Sequence, residues 1–147
     1  MSQTYDLERF ITAQNQNYHD ALAEMKRGKK ITHWMWYVFP QIAGLGYSQL
    51  ATFYAIKDVE EAKLYLAHPI TGGRLLDITE ALLAVRGKTA YDIFGSPDDL
   101  KLKSSMTLFE FVSNGDSVFT AVLETYFAGE RDDKTLRIIE RMNGENR

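Results

Sequence analysis

Cysteine is missing from all 147 residues, and that absence removes disulfides, thiolate metal sites and thiol nucleophiles together. Long apolar runs are missing too. The longest, Trp34 to Phe39 and Ala81 to Val85, fall far short of the roughly 20 residues that a membrane-crossing helix needs. Positive charge is not in excess: 17 Lys and Arg stand against 20 Asp and Glu, a formal charge of −3. A sequence-independent nucleic-acid binder needs a strong positive field to exchange for phosphate counterions. The expectation is therefore neither a nucleic-acid partner nor a membrane partner. Met1 to Asp6 carries neither the basic nor the apolar region of a signal peptide, so a cytoplasmic location is expected. With 45% hydrophobic and 25% charged residues, the chain has the composition of a folded domain rather than of a disordered segment, a collagen or a coiled coil. Its length suits one core, so residues 1–147 are read as a single domain.

Leu and Ala number 28 against 15 Val and Ile, and no stretch alternates apolar and polar residues for long, so helix is the default expectation. With Asp6 as N-cap, apolar residues from Leu7 to Met25 recur at three- and four-residue steps and stop at Gly28, with cations in the last turn. Gln14 falls inside that apolar stripe, so it either reaches a buried partner or marks a break near Asn15 to Asn17. Pro40 and the glycines after it forbid one helix through the next stretch. Further helices are expected from about Ser48 to Ile56, from Asp58 with a capping-box partner at Glu61, and from Pro69 to Gly87. Thr89 and Asp92 repeat the box spacing. Ser96 is read as the cap of a helix with Pro97 in its first position, running to about Val112. The last two are expected from Asp116 to Phe127 and from about Asp133 to Met142. The result is a mostly α, compact domain of seven or eight helices in an orthogonal or irregular bundle.

Four groups of residues could carry chemistry. The first is the aromatic segment His33, Trp34, Met35, Trp36, Tyr37, Phe39 and Pro40 with Gln41. Such a segment plugs a core, and it can also wall a pocket in which Trp34 or Trp36 stacks a flat ligand beside His33 and Gln41. The second is Gly44-Leu45-Gly46-Tyr47-Ser48, either a glycine turn with a serine cap or a place where amides converge on an anion. The third is Lys101, Lys103, Ser104, Ser105 and Thr107 on one helix. There Lys101 could activate Ser105 as a base or share a phosphate with Ser104 and Thr107, or the serines simply bond back to the carbonyl one turn earlier. The fourth is His68 before Pro69, Gly72, Gly73 and Arg74, either an anion contact or a helix junction needing glycine to pack. His19, His33 and His68 are not spaced as a zinc site, so no metal and no cofactor are expected.

His33-Trp34-Met35-Trp36-Tyr37-Val38-Phe39-Pro40-Gln41, Gly44-Leu45-Gly46 with Ser48, Tyr54-Ala55-Ile56, His68-Pro69, Gly73-Arg74-Leu75, Ile93-Phe94-Gly95 and Lys101 to Phe109 together resemble the family known as domain of unknown function 1810, from about residue 6 to residue 136. The chain departs from it at Ile70-Thr71-Gly72, where the family more often reads Val or Ile, Leu, Gly. The resemblance implies a small, mostly helical bacterial domain with no established activity. It also maps the family's shared polar positions onto His33, Gln41, Ser48, His68, Arg74, Asp98, Lys101, Ser104, Ser105 and Thr107. In its arrangement of helices and lysines alone the chain is also similar to the NADAR group, which handles ADP-ribose and related N-glycosidic compounds.

These readings meet in one expectation: a small anionic or nucleotide-like ligand held between segment 33–41 and the helix over 97–112. Trp34, Trp36, Gln41, Ser48, His68, Arg74, Ser104 and Thr107 would bind it, and His33, Lys101 and Ser105 would serve any proton transfer or hydrolysis. The alternatives are a non-catalytic protein-interaction module and a hydrolase of ADP-ribose-type N-glycosides. The protein is expected as a monomer or small homo-oligomer.

Overall fold

The computed structural model describes residues 5–114 and 117–145. Nine helices occur among them: α1 (Glu8–Arg27), α2 (Met35–Val38), α3 (Gln49–Tyr54), α4 (Val59–Ala67), α5 (Pro69–Leu83), α6 (Ala90–Phe94), α7 (Asp98–Val112), α8 (Val118–Phe127) and α9 (Asp133–Glu145). No strand forms among the described residues. One isolated parallel bridge pairs Ile42 with Ile56, and through it the Ile56 amide donates to the Gln41 carbonyl and the Ala43 amide to the Ile56 carbonyl, both at 2.8 Å.

Local chemistry sets most of the boundaries. Ser48 accepts from the Ala51 amide and Asp58 from the Glu61 amide. Thr89 and Asp92 form a complete capping box, which satisfies amides that no helical carbonyl can reach. At Asp58 the box is incomplete, because the Glu61 carboxylate accepts from the Lys57 amide and pairs with Arg9 instead. Two starts differ from expectation. Leu7 rather than Asp6 precedes α1, without a side-chain cap, and Pro97 rather than Ser96 occupies the capping position of α7, after a cis Ser96–Pro97 bond. The ninth helix over the expected seven or eight is α2, one turn long, in the segment that Pro40 closes. Asp116, the expected start of α8, lies outside the described residues, and Ser117 caps that helix.

Helix α1 runs unbroken through Gln14 because the amide finds partners inside the protein. Gln14 Nε2 donates to the Tyr37 carbonyl at 2.7 Å and to the Tyr65 hydroxyl at 3.0 Å. One continuous core forms as α5 packs on α1, α4 and α8 while α7 packs on α4, α6, α8 and α9. Aromatic rings thread it: Phe10 meets Tyr65 edge-on at 5.0 Å, Tyr65 meets Phe109 at 5.4 Å, and Phe109 meets Phe119 at 5.8 Å. The aromatic segment fills the other end, where Trp34, Phe39 and Phe94 contact one another. Helix α7 thus presents one face to this core and the other to solvent, next to α9 and the turn before α3. No helix among the described residues is long and apolar enough to cross a membrane.

Candidate functional site

The exposed side of α7 forms one wall of a groove of about 700 Å³. Leu100, Lys101, Lys103 and Ser104 come from α7, Arg131 to Lys134 with Arg137 come from the start of α9, and Gln41 with Leu45 to Ser48 and Ala51 form the facing side. Two ties hold α9 against α7. The Asp132 amide donates to Thr107 Oγ1 at 3.0 Å, and Arg131 grips the Glu110 carboxylate through Nε at 2.8 Å and Nη2 at 2.5 Å. A two-pronged guanidinium contact fixes orientation as well as distance, and the Arg131 hydrogen bonds hold the Glu110 carboxyl below its ordinary range against the opposing effect of burial. Asp132 caps α9 by accepting from the Thr135 amide at 3.0 Å.

Charge is distributed unevenly here. Five cationic side chains line the groove against two carboxylates, in a chain whose net charge is negative. Arg131 is committed to Glu110. Lys103 reaches the exposed Glu130 at 3.4 Å, and Lys101 lies 3.7 Å from Asp98, which Lys30 contacts more closely at 2.9 Å. Lys134 and Arg137, one turn apart on α9, are exposed and make no ion pair among the described residues. Such a site can bind anions by charge and by Arg137's planar fork. A second cavity of about 490 Å³ lies at the other end of α3, beside Asp6, Glu8, Arg9 and Phe53. Its one cation, Arg9, is spent on Glu61 and on the Phe53 and Ala55 carbonyls, so it offers nothing to an anion.

Of the residues singled out in the sequence, Gln41, Ser48, Lys101, Lys103 and Ser104 meet at the groove, with Leu45, Gly46 and Tyr47 of the glycine turn. The Ser48 oxygen is used by the Ala51 amide at 3.1 Å, but its proton remains free to donate. Ser104 donates to the Leu100 carbonyl at 3.2 Å, the backbone bond that costs a helical serine its proton. Trp36 is half-buried beside this site, with the Lys101 ammonium 5.4 Å from its ring centre. One face of that ring therefore steadies the lysine and is closed to a ligand.

The remaining residues lie elsewhere. Trp34 is 0% exposed and donates from Nε1 to Glu24 at 2.9 Å, so it cannot stack a ligand. Ser105 is also 0% exposed, and its hydroxyl has no partner; a nucleophile needs both access and a base in contact, and it has neither. His33 is exposed but does not line the groove, which takes it out of the expected catalytic set. His68 caps α5, its Nδ1 accepting from the Ile70 amide at 3.0 Å. Arg74 is turned toward α1, where it donates to Asn15 at 2.8 Å and Gln14 at 3.3 Å over the Tyr18 ring. Gly72 serves packing, since a Cβ there would stand 2.0 Å from the Leu66 carbonyl oxygen, whereas a Cβ on Gly73 would meet nothing within 4 Å. Thr107 is buried between α7 and α9, donating to the Lys103 carbonyl at 2.8 Å. Among the described residues no cluster of His, Asp or Glu could hold a metal ion.

Sequence reasoning missed Lys134, Arg137 and Arg131. Their only local signal is the i, i+3 spacing of Lys134 and Arg137, which places two cations on one helix face. That this face is opposite Lys101 depends on how α9 packs.

A comparison with curated proteins gives no match. Among solved structures, the chain is similar to the conserved hypothetical protein Rv1873 from Mycobacterium tuberculosis. The two are 44% identical with a TM-score of 0.91, over 92% of this chain and 97% of that one. Residues 4–139 match the family model described as protein of unknown function DUF1810. With the motifs, nearly the whole length and the fold in agreement, the chain belongs to the DUF1810 family.

Proposed function

We propose that the protein binds a small anionic ligand in the groove between α7, the start of α9 and the 45–51 segment. The observation that carries this reading is the pair Lys134 and Arg137, which make no ion pair among the described residues and line the same groove as Lys101 and Lys103. Like charges gathered at one place repel, and they are relieved when an anion enters between them. Lys101 and Arg137 hold the anion, while Ser48 and Gln41 contribute neutral hydrogen bonds.

Binding is favoured over hydrolysis by the same geometry. Ser105 is sealed in the core without a base, and His33 stands outside the groove, so neither the N-glycoside hydrolase reading nor the proposed Lys101 and Ser105 pairing has support. The protein-interaction alternative has one observation in its favour. None of the six residues of α3 is buried, and Leu50 and Phe53 are exposed.

Thermal unfolding at constant ionic strength tests the reading. Millimolar pyrophosphate should raise the melting temperature of the wild-type chain, as any ligand specific to the folded state does. The shift should fall in Lys101→Ala and vanish in Lys134→Ala/Arg137→Ala. A wild-type chain that responds no more to pyrophosphate than to chloride at equal ionic strength would overturn the proposal.

A further inference from the structure

An anion site alone does not account for Tyr47. Its side chain lines the groove and is 91% exposed, while Trp34, Tyr37 and Phe39 in the preceding turn are buried and Trp36 and Tyr54 are half-buried. Among the described residues its ring contacts no other ring. Leaving an aromatic ring in water forgoes the burial that such side chains ordinarily contribute. The backbone that carries it is nevertheless fixed. The Ile42–Ile56 bridge anchors the segment on one side, Ser48 caps α3 on the other, and between them Gly46 lies so close to α3 that a Cβ there would stand 2.8 Å from the Ala51 methyl carbon. The backbone thus carries the ring beside a groove of about 700 Å³, within the size range of small-molecule sites.

The charges add a second constraint. Lys134 and Arg137 on α9, which make no ion pair among the described residues, line the same groove as Lys101 and Lys103 on α7. A single monovalent group would bring one negative charge to these four cations. A chain of two phosphoryl groups brings more, and can carry a further group toward the rim.

We infer that the occupant is a phosphorylated compound bearing a flat ring, by class a nucleoside diphosphate, and that Tyr47 is the residue its base lies against. This rests on the groove being an anion site and adds the identity of the group attached to the anion. Stacking on an open aromatic face needs no particular base, and Gln41 offers both a donor and an acceptor within the same groove.

Isothermal titration at fixed ionic strength with ADP, pyrophosphate and adenosine separates the ring from the charge. The wild-type protein should bind ADP about tenfold more tightly than pyrophosphate, the scale of one base–aromatic contact, and adenosine weakly. Tyr47→Ala should lose that tenfold and keep the pyrophosphate affinity, Tyr47→Phe should keep both, and Arg137→Ala should weaken ADP and pyrophosphate alike. Unliganded melting of each variant confirms that it is folded. If ADP binds no more tightly than pyrophosphate, or if Tyr47→Ala retains the preference, the ring assignment is overturned while the anion site stands. If neither ADP nor pyrophosphate binds the wild-type chain, both are overturned.

Discussion

Two neighbouring stretches, residues 34–42 and 44–51, are both rich in apolar and aromatic side chains, yet they meet opposite fates. In the first, Trp34, Met35, Tyr37, Val38, Phe39 and Ile42 are all buried. In the second, no residue is buried, and Tyr47 and Leu50 face solvent. What separates them is the supply of polar partners. Trp34 can enter the core because Glu24 accepts its indole proton, and Gln14 can enter because it meets the Tyr37 carbonyl and the Tyr65 hydroxyl. Nothing equivalent awaits the 44–51 stretch, where the Ser48 cap on the Ala51 amide is a local bond on an exposed turn. The polar groups of Trp34 and Gln14 can therefore enter the core because α1, α2 and α4 supply their partners.

The sharpest way to break this contrast is Trp34→Ala. Removing a fully buried indole leaves a cavity beside Phe39 and Phe94 and a carboxylate short of one donor. A loss of about 3–5 kcal/mol, measured by urea unfolding, is expected. Next comes Glu24→Gln. Burial pushes the Glu24 carboxyl up, but hydrogen bonds from the Thr32 hydroxyl, the Ile31 and Thr32 amides and the Trp34 indole outweigh it and hold it at about 2. A folded-state value below the unfolded one means that the unfolded chain binds more protons in between. This carboxylate's contribution is thus complete above its ordinary value and is lost as pH falls toward about 2. Glu24→Gln should cost about 2 kcal/mol at neutral pH and flatten the fall in stability below the ordinary carboxylate range. If the acid limb is as steep as in the wild type, Glu24 is not the group responsible.

The contrast also marks what the sequence could disclose. Caps at Ser48, Asp58 and Thr89 were legible because a cap bonds to an amide three residues away, and the Pro69 junction because proline acts on its own turn. Lys101, Gln41 and Ser48 stand out in the sequence because each sits in an unusual local pattern, and all three line one groove. For Trp34 the sequence leaves core and ligand wall both open for a physical reason: a ring suited to stacking is equally suited to filling a core, and the buried partner that decides for the core, Glu24, lies in α1. Lys134 and Arg137 were invisible for the converse reason. Two cations on a helix face are ordinary until the fold brings them to the groove that Lys101 lines, with no ion pair among the described residues. Arg74 shows the same limit, since nothing near it in sequence indicates that Asn15 will take its charge.

Smaller effects sharpen the comparison from the other side. Ser48→Ala removes the cap of a six-residue helix with no buried side chain, so about 1 kcal/mol should be lost. The loss should be local to α3, because the ties at its far end, Tyr54 on Phe10 and Tyr37 and Arg9 on the Phe53 and Ala55 carbonyls, leave the rest of the domain independent of the capped turn. Amide exchange in residues 49–54 should accelerate while exchange in α5 and α7 stays unchanged; a uniform acceleration would mean that α3 unfolds only with the whole domain.

The smallest expected effect is also the most informative. Tyr47→Ala removes as large a ring as Tyr37 supplies, from a position a few residues further along the chain. Yet its cost to the unliganded protein should stay within about 0.5 kcal/mol, the range of a surface substitution, because the ring shields no apolar surface in the folded state. On the proposed reading, a side chain that contributes nothing to the fold has its effect when the groove is filled. A cost above about 1 kcal/mol would show instead that the ring packs on its own protein in solution. It would then belong with the buried segment, and the division between a stretch that builds the core and a stretch that meets the ligand would fail at the residue chosen to represent it.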